Sequence, residues 1–244
     1  MVKRDRILRY AIVLTYECNA KCSGCNRFLD CAPWLDTELS IEDLQEGYKR
    51  AIEKGPEFEK VRVTGGEPLL HPKFEQCMEV INKTWNKDFT GRTCVFSNGI
   101  IKGPDRPEEW RYRTADKKAR KEDFLPSMIS PYDSRWSVKL GVEADCPRQC
   151  GCGRLFDCHG FTFCIYAGVI GRLFGIDPYS PVPVLRGNPE ICKHCVFSQG
   201  IKGAFKLFTR AKRGRIQPPT KSYAKALERG KKEGFPVFKK FSER

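Results

Sequence analysis

Cys18, Cys22 and Cys25 stand at C-x3-C-x2-C spacing directly after a short apolar run, Tyr10-Ala-Ile-Val-Leu14. That run lacks helical spacing and suits a buried strand, so the three thiols fall on the loop that leaves it. Soft sulfur ligands at this density favour an iron–sulfur centre. Three of them leave one iron of a four-iron cubane open to an outside molecule. On spacing alone a zinc knot and an electron-transfer ferredoxin site stay open, although zinc motifs usually come as C-x2-C pairs and bacterial ferredoxins use C-x2-C-x2-C-x3-C-P. The whole chain holds 13 cysteines, an odd number. No apolar stretch approaches the ~20 residues of a membrane span, and the charged beginning does not read as an export signal. We therefore expect a cytoplasmic protein without membrane association, whose cysteines serve metal or redox chemistry rather than disulfides. Hydrophobic residues make up 40% of the chain, enough to bury a core and to exclude wholesale disorder.

Strand and helix signals alternate around these cysteines. Ser40-Ile-Glu-Asp43 has capping-box spacing. Beyond it Ile41, Leu44, Tyr48, Ala51 and Ile52 recur at helical intervals until Gly55-Pro56 stops them. Residues 60–64 alternate like a strand and run into Gly65-Gly66-Glu67-Pro68. A second helix is expected from near Pro72, with Phe74, Cys77, Met78, Ile81 and Trp85 on one face. Residues 93–97 read as a third strand, closed by Asn98-Gly99. This order argues for an α/β fold with a parallel sheet and crossover helices. Residues 102–122 read as charged loop with room for one exposed helix, and 124–129 and 136–142 as weaker strands.

Three motifs therefore sit in order at three strand ends: C-x3-C-x2-C, Gly65-Gly66-Glu67-Pro68 and Ser97-Asn98-Gly99. Together they resemble the radical S-adenosylmethionine (radical SAM) superfamily over about the first 100 residues. The resemblance implies that Cys18, Cys22 and Cys25 hold a [4Fe–4S] cluster whose open iron is chelated by SAM. Glu67 would accept a hydrogen bond from the SAM amino group, Gly65 and Gly66 would allow close backbone approach, and Ser97 and Asn98 would lie near the ribose. Pro68 completes that motif. Gly24 stands where the superfamily often has an aromatic residue, which leaves Tyr16 or Phe28 to pack on the adenine. No catalytic side chain is assigned. His71 reads as structural, and Cys77 and Cys94 as small buried hydrophobes. The 145 residues before the next cysteine group are few for a complete barrel, so a truncated or partial (β/α)6 barrel with a wide mouth for a large substrate is expected.

Seven cysteines then fall between 146 and 195: Cys146, Cys150, Cys152, Cys158, Cys164, Cys192 and Cys195. Cys192-Lys-His-Cys195 is a C-x2-C pair, for which a structural zinc is the plain alternative. The arrangement resembles the auxiliary-cluster extensions, called SPASM and twitch domains, that follow many radical SAM cores. It implies an auxiliary [4Fe–4S] cluster on Cys146, Cys164, Cys192 and Cys195, with Cys152 as the replacement ligand. Cys150 and Cys158 are left open. Gly160-Phe-Thr-Phe-Cys164 is one residue shorter than the usual glycine-to-cysteine spacing. The domains expected are a core over 1–145, an auxiliary module over 146–200 and a basic helical extension over 201–244.

Charge distinguishes that extension. The chain carries +14, and residues 201–244 hold 14 basic and 3 acidic residues, hence +11 of it. Phe205, Phe208, Tyr223, Phe235, Phe238 and Phe241 are interleaved with those cations. Cations contact phosphates and rings stack on bases, so a nucleic acid or modified nucleotide is favoured over a peptide as the macromolecular substrate. The alternatives are a peptide-modifying radical SAM enzyme, an iron–sulfur electron carrier and a zinc-stabilised nucleic-acid-binding module. In the plainest reading of the extension, its aromatics simply dock on the core. Radical SAM chemistry also implies an external electron donor of flavodoxin or ferredoxin type.

Overall fold

The computed structural model describes residues 9–22, 25–34, 37–55, 58, 60–85, 93–101, 110–114, 128–133, 146, 153–184 and 186–244. The first apolar run forms β1 (Arg9–Val13). Helix α1 (Ile41–Lys54) starts where the capping spacing places it, with the Ser40 hydroxyl accepting from the Asp43 N–H at 3.0 Å. It buries Leu44, Gly47 and Ala51 and stops at Gly55, whose N–H closes on the Ala51 carbonyl. Next come β2 (Lys60–Thr64), α2 (Phe74–Lys83) and β3 (Thr93–Ser97). Phe74, Cys77, Met78 and Ile81 line the inner face of α2, and Trp85 is buried just beyond it.

From here the chain departs from the sequence-based expectation. Trp110–Thr114, read as part of a charged loop, is β4 and pairs in parallel with β3 along its length. Of the two weaker strands, 124–127 and 136–142 lie outside the described residues, and 128–129 are not in a strand. The next strand is β5 (Arg154–Asp157), followed by β6 (Gly160–Thr162), both inside the cysteine-rich stretch. Helices α3 (Ala167–Phe174), α4 (Pro189–Cys192), α5 (Gly200–Lys212) and α6 (Lys221–Glu233) complete the order.

Among the described residues the strands form one sheet in the order β4-β3-β2-β1-β5-β6, with only the β5–β6 pair antiparallel. Ile12 of β1 lies opposite Val63 of β2 on one side and Phe156 of β5 on the other. This is a mixed α/β fold with a parallel-dominated sheet, consistent with a partial barrel. A boundary at 145/146 therefore does not separate two folding units: the segment called an auxiliary module supplies the neighbour of β1.

Period-two alternation sends β1 side chains to both faces. Tyr10, Ile12 and Leu14 join Val61, Val63, Val95 and Phe156 under α1 and α2. Val13 and Leu155 face the other way, under α3, α5 and α6, with Ile170, Leu173, Leu207, Phe208, Tyr223 and Leu227. On that second face β2 and β3 present Arg62, Cys94 and Phe96, all only half-buried, so Cys94 is not the buried hydrophobe expected while Cys77 is.

The basic extension is part of the same core. Phe208, Tyr223, Phe238 and Phe241 are buried, Phe235 is half-buried, and Phe205 alone of the six is exposed. Helical periodicity is the reason: Ala204, Leu207 and Phe208 share one face of α5, while Tyr223, Ala226, Leu227 and Gly230 share one of α6. The row of rings expected to stack on bases is thus turned inward. Phe241 reaches the first face of the sheet, where its N–H donates to the Cys158 carbonyl at 2.8 Å and its ring meets Phe156 edge-on.

One contact sets how closely α1 sits on the sheet. A Cβ at Gly47 would lie 2.2 Å from the tip of the Phe156 ring. Gly47→Ala should cost about 1–3 kcal/mol, the usual range for overpacking, and lower the melting temperature by several degrees in calorimetry. An unchanged melting temperature would contradict this packing.

Candidate functional site

Parallel strands bring their C-terminal ends to one edge, and the three motifs follow the ends of β1, β2 and β3. The loops after β1 and β2 stay joined beyond the strands. Leu14 N–H donates to the Thr64 carbonyl (3.3 Å), Gly66 N–H to Thr15 (2.9 Å) and Glu67 N–H to Glu17 (2.8 Å). Gly65 has φ +149°, and a Cβ there would stand 2.1 Å from the Thr15 carbonyl oxygen; at Gly66 it would stand 2.1 Å from that of Glu17. The close approach that needs these glycines is made by the chain's own backbone.

Glu67 has no exposure to solvent. One carboxylate oxygen accepts from the Leu69 N–H at 3.2 Å. The other accepts from the Ser97 hydroxyl at 3.2 Å and the Asn98 N–H at 2.6 Å. Pro68 opens the 3-10 turn that places Leu69. The Asn98 side-chain amide donates to the Asn19 side-chain oxygen Oδ1 at 2.7 Å and lies 3.8 Å from the Cys18 sulfur. Gly65, Gly66, Glu67, Pro68, Ser97, Asn98 and Cys18 thus form one hydrogen-bonded edge. Glu67, expected to receive a SAM amino group, is already engaged by three donors of its own chain.

Cys22 and Cys25 lie in a turn closed by Cys25 N–H to the Cys22 carbonyl, 3.2 Å. Burial raises the Cys18 thiol pKa, and the nearby Cys25 and Cys22 add to the rise. Gly24 is outside the described residues. The two aromatic residues expected to pack an adenine are both buried. Tyr16 stacks on Trp34 (centroids 4.4 Å apart) and gives its hydroxyl to Asp157, while Phe28 meets Tyr223 edge-on.

The second cysteine set assembles too. Cys146, Cys164, Cys192 and Cys195 lie close enough to feel one another's charge. Burial first, then these neighbours, push Cys192 up to about 11, Cys195 up to about 12 and Cys164 well above the ordinary thiol range. Asn188 caps α4, and Cys195 N–H closes on the Cys192 carbonyl at 3.0 Å, setting the C-x2-C turn. The Cys146 thiol faces the Phe197 carbonyl at 3.6 Å. Cys150 and Cys152 lie outside the described residues. Cys158 is buried on the opposite face of the sheet, with Phe156 and Phe241, and belongs to the packing there.

Both sets fit an iron–sulfur cluster in donor chemistry. They are thiols gathered in partly or fully desolvated positions, where a cation would favour the thiolate. Among the described residues no three such groups already stand in metal-bonding positions.

Two buried groups were missed in the sequence. Asp157, at the end of β5, accepts from the Tyr16 hydroxyl (2.7 Å), the Tyr179 hydroxyl (2.8 Å) and the His159 N–H (2.8 Å). Burial and this carboxylate raise both phenol pKa values well above normal. Arg27, two residues past Cys25, donates to the carbonyl of Ile165, the neighbour of Cys164, at 2.8 Å. It ties one cysteine loop to the other. His71 is structural as expected, its ring spanning the Leu39 carbonyl and the Lys73 N–H.

Comparison with known proteins agrees with this edge of motifs. Residues 12–113 match the family profile described as the radical SAM superfamily. The chain therefore carries a radical SAM domain. It is 30% identical over 90 residues to the GTP 3′,8-cyclase of Chlorobaculum tepidum, covering 37% of this chain and 25% of that protein. It is likewise 30% identical over 98 residues to a probable GTP 3′,8-cyclase of Methanothermobacter marburgensis, covering 40% and 30%. The chain spans less than a third of the length of these relatives. The solved structure of native anSMEcpe with bound AdoMet aligns at 24% identity and a TM-score of 0.31, over 38% of this chain and 27% of that one, a likeness too loose to argue from. No helix among the described residues is long and apolar enough to cross a membrane.

If Glu67 holds the strand ends together by itself, its loss is felt without SAM. In Glu67→Gln the new amide N–H must face one of three donors, at a cost of about 1–3 kcal/mol. Denaturant unfolding of the SAM-free protein should show that loss. Unchanged stability would return Glu67 to a purely ligand-binding role.

Proposed function

We propose that this chain is a radical SAM enzyme of the cytoplasm, with a second, auxiliary [4Fe–4S] cluster, acting on a nucleotide. The joined edge of motifs carries this reading: the thiol loop, Glu67 and Asn98 are one hydrogen-bonded unit within the span that matches the superfamily. Cys18, Cys22 and Cys25 would hold the cluster that binds SAM. When bound, that pair supplies one-electron cleavage of SAM to a 5′-deoxyadenosyl radical, which takes a hydrogen atom from substrate. Asn98 orients the Cys18 loop through Asn19, and Glu67 holds Asn98 in place. Cys146, Cys164, Cys192 and Cys195 would hold the auxiliary cluster within residues 146–200, with Cys152 in reserve. Arg27 fixes the spacing between the two loops.

For substrate, one cation–ring pair on the second face of the sheet supports a nucleotide. Arg62 places its guanidinium over the Phe96 ring at 5.7 Å, on the half-buried second face of β2 and β3. A cation beside an aromatic ring suits phosphate and base together. The relatives named above are cyclases of GTP, a small nucleotide. A nucleic-acid substrate keeps only the exposed cations of the extension in its support, since its rings are buried.

Anaerobic reconstitution tests the chemistry. Replacing Cys18, Cys22 and Cys25 together by Ala should abolish reductant-dependent 5′-deoxyadenosine while more than two irons per chain remain at the second site. Undiminished cleavage would overturn the first assignment, and stoichiometric zinc in place of that iron the second. Nucleoside triphosphates should stimulate SAM cleavage by wild type more than single-stranded oligonucleotides do, and Arg62→Ala should lose about ten-fold or more of that stimulation, as for one charge-assisted contact. Stimulation by oligonucleotide alone would overturn the small-nucleotide reading.

A further inference from the structure

Helix α5 lies between the second cysteine site and solvent. Its inner face carries Ala204, Leu207 and Phe208 in the core. Phe208 meets the Phe197 ring at 5.7 Å, and the Phe197 carbonyl faces the Cys146 thiol. Cys195 immediately precedes the 3-10 turn, Val196–Gln199, that leads directly into the helix. The outer face is of another kind. Phe205 is 60% exposed, with Lys202, Lys206, Lys212 and Arg213 exposed around it. From residue 191 to 227 the chain has nine Lys and Arg and no Asp or Glu. A solvated helix ordinarily mixes its charges, as α1 does with Glu46 paired to Lys49 and Arg50.

We propose that the outer face of α5 is the docking surface for an acidic protein that donates single electrons to the second cysteine site. This rests on the auxiliary-cluster reading above. An apolar centre with a charged rim is the anatomy of a protein interface. Redox encounters are small and steered by opposite charge. A helix is about 10 Å thick with its side chains, and beneath α5 the Phe208–Phe197 contact leads to the Cys146 thiol, so the helix and one ring separate a partner seated on Phe205 from the second site. A nucleic acid would use the same cations but finds one exposed ring there instead of a series to stack on. The transfer balances simply. One electron leaves a flavin hydroquinone of the donor, which becomes the semiquinone with loss of a proton, and reduces the oxidised cluster by one; no bond of this chain is made or broken.

The test uses the reconstituted full chain and a purified flavodoxin in its hydroquinone form. Cluster bleaching is followed by stopped flow, and binding of oxidised flavodoxin by titration. Lys202→Glu with Lys206→Glu, and separately Phe205→Ala, should slow reduction by flavodoxin about ten-fold or more and weaken its binding in parallel. Added salt should do the same to wild type. Reduction by dithionite should be unchanged in every variant. Wild-type rates and binding in the variants overturn the proposal. So does loss of single-stranded oligonucleotide binding with the flavodoxin rate intact, which assigns the face to nucleic acid. Iron counting that finds no second cluster overturns the auxiliary reading and this proposal with it; a second cluster reduced at an unaltered rate overturns this proposal alone.

Discussion

A carboxylate without access to water stands where three strand ends meet, and the site is built on it. A buried carboxyl such as Glu67 is tolerated only if its oxygens are hydrogen-bonded, and the donors come from the turn after β2, the end of β3 and the loop that follows it. Each donor is thereby fixed. Asn98, held by its own N–H, has its side chain free to reach the cysteine loop after β1. The chain of contacts runs from a buried carboxyl group to a loop of thiols without passing through any ligand. Organisation of the edge precedes binding, which lowers the ordering cost that a cofactor would otherwise bear.

A second buried carboxylate anchors the same loop from the opposite side. Asp157 holds Tyr16, two residues before Cys18, and Tyr179 from the segment after α3. Tyr16 stacks on Trp34, and the Arg172 guanidinium covers Trp34 at 4.6 Å while donating to the carbonyls of Ala32 and Pro33. The segment from Tyr16 to Trp34, with all three cysteines inside it, is therefore gripped at both ends. Arg27 adds a third tether in its middle. Rigid elements hold a loop that carries chemistry, the division of labour common in α/β folds.

Local punctuation made part of this legible in the sequence. Ser40 caps α1, Gly55 ends it, and the apolar stripe of α2 declares its buried face. The three motifs also fall at strand ends because each strand is short and bounded. What stayed hidden depends on partners distant in the chain. Trp-Arg-Tyr-Arg-Thr reads as charged loop until β3 lies beside it in register. Arg-Leu-Phe-Asp is too short to stand out among glycines and cysteines, and becomes a strand only against β1. The Asp157–Tyr16 bond joins residues 141 positions apart, with no local pattern at either end. The rings of the basic extension misled in the opposite direction. Their spacing is that of amphipathic helices, and helical spacing signals a buried face before it signals a binding one.

The place of β5 in the sheet decides how far this molecule is modular. Its neighbour β1 is buried on both faces and hydrogen-bonded along both sides. Cutting the chain at the natural-looking seam before the second cysteine group would strip one of those sides. A strand buried on both faces would then become an open edge, apolar and unpaired, of the kind that recruits other chains. The cysteine-rich half thus supplies one of the two neighbours of β1, whatever metal it carries. Gain or loss of such a segment is not free to proceed by simple fusion or trimming: any shortened descendant needs a replacement strand at the same place.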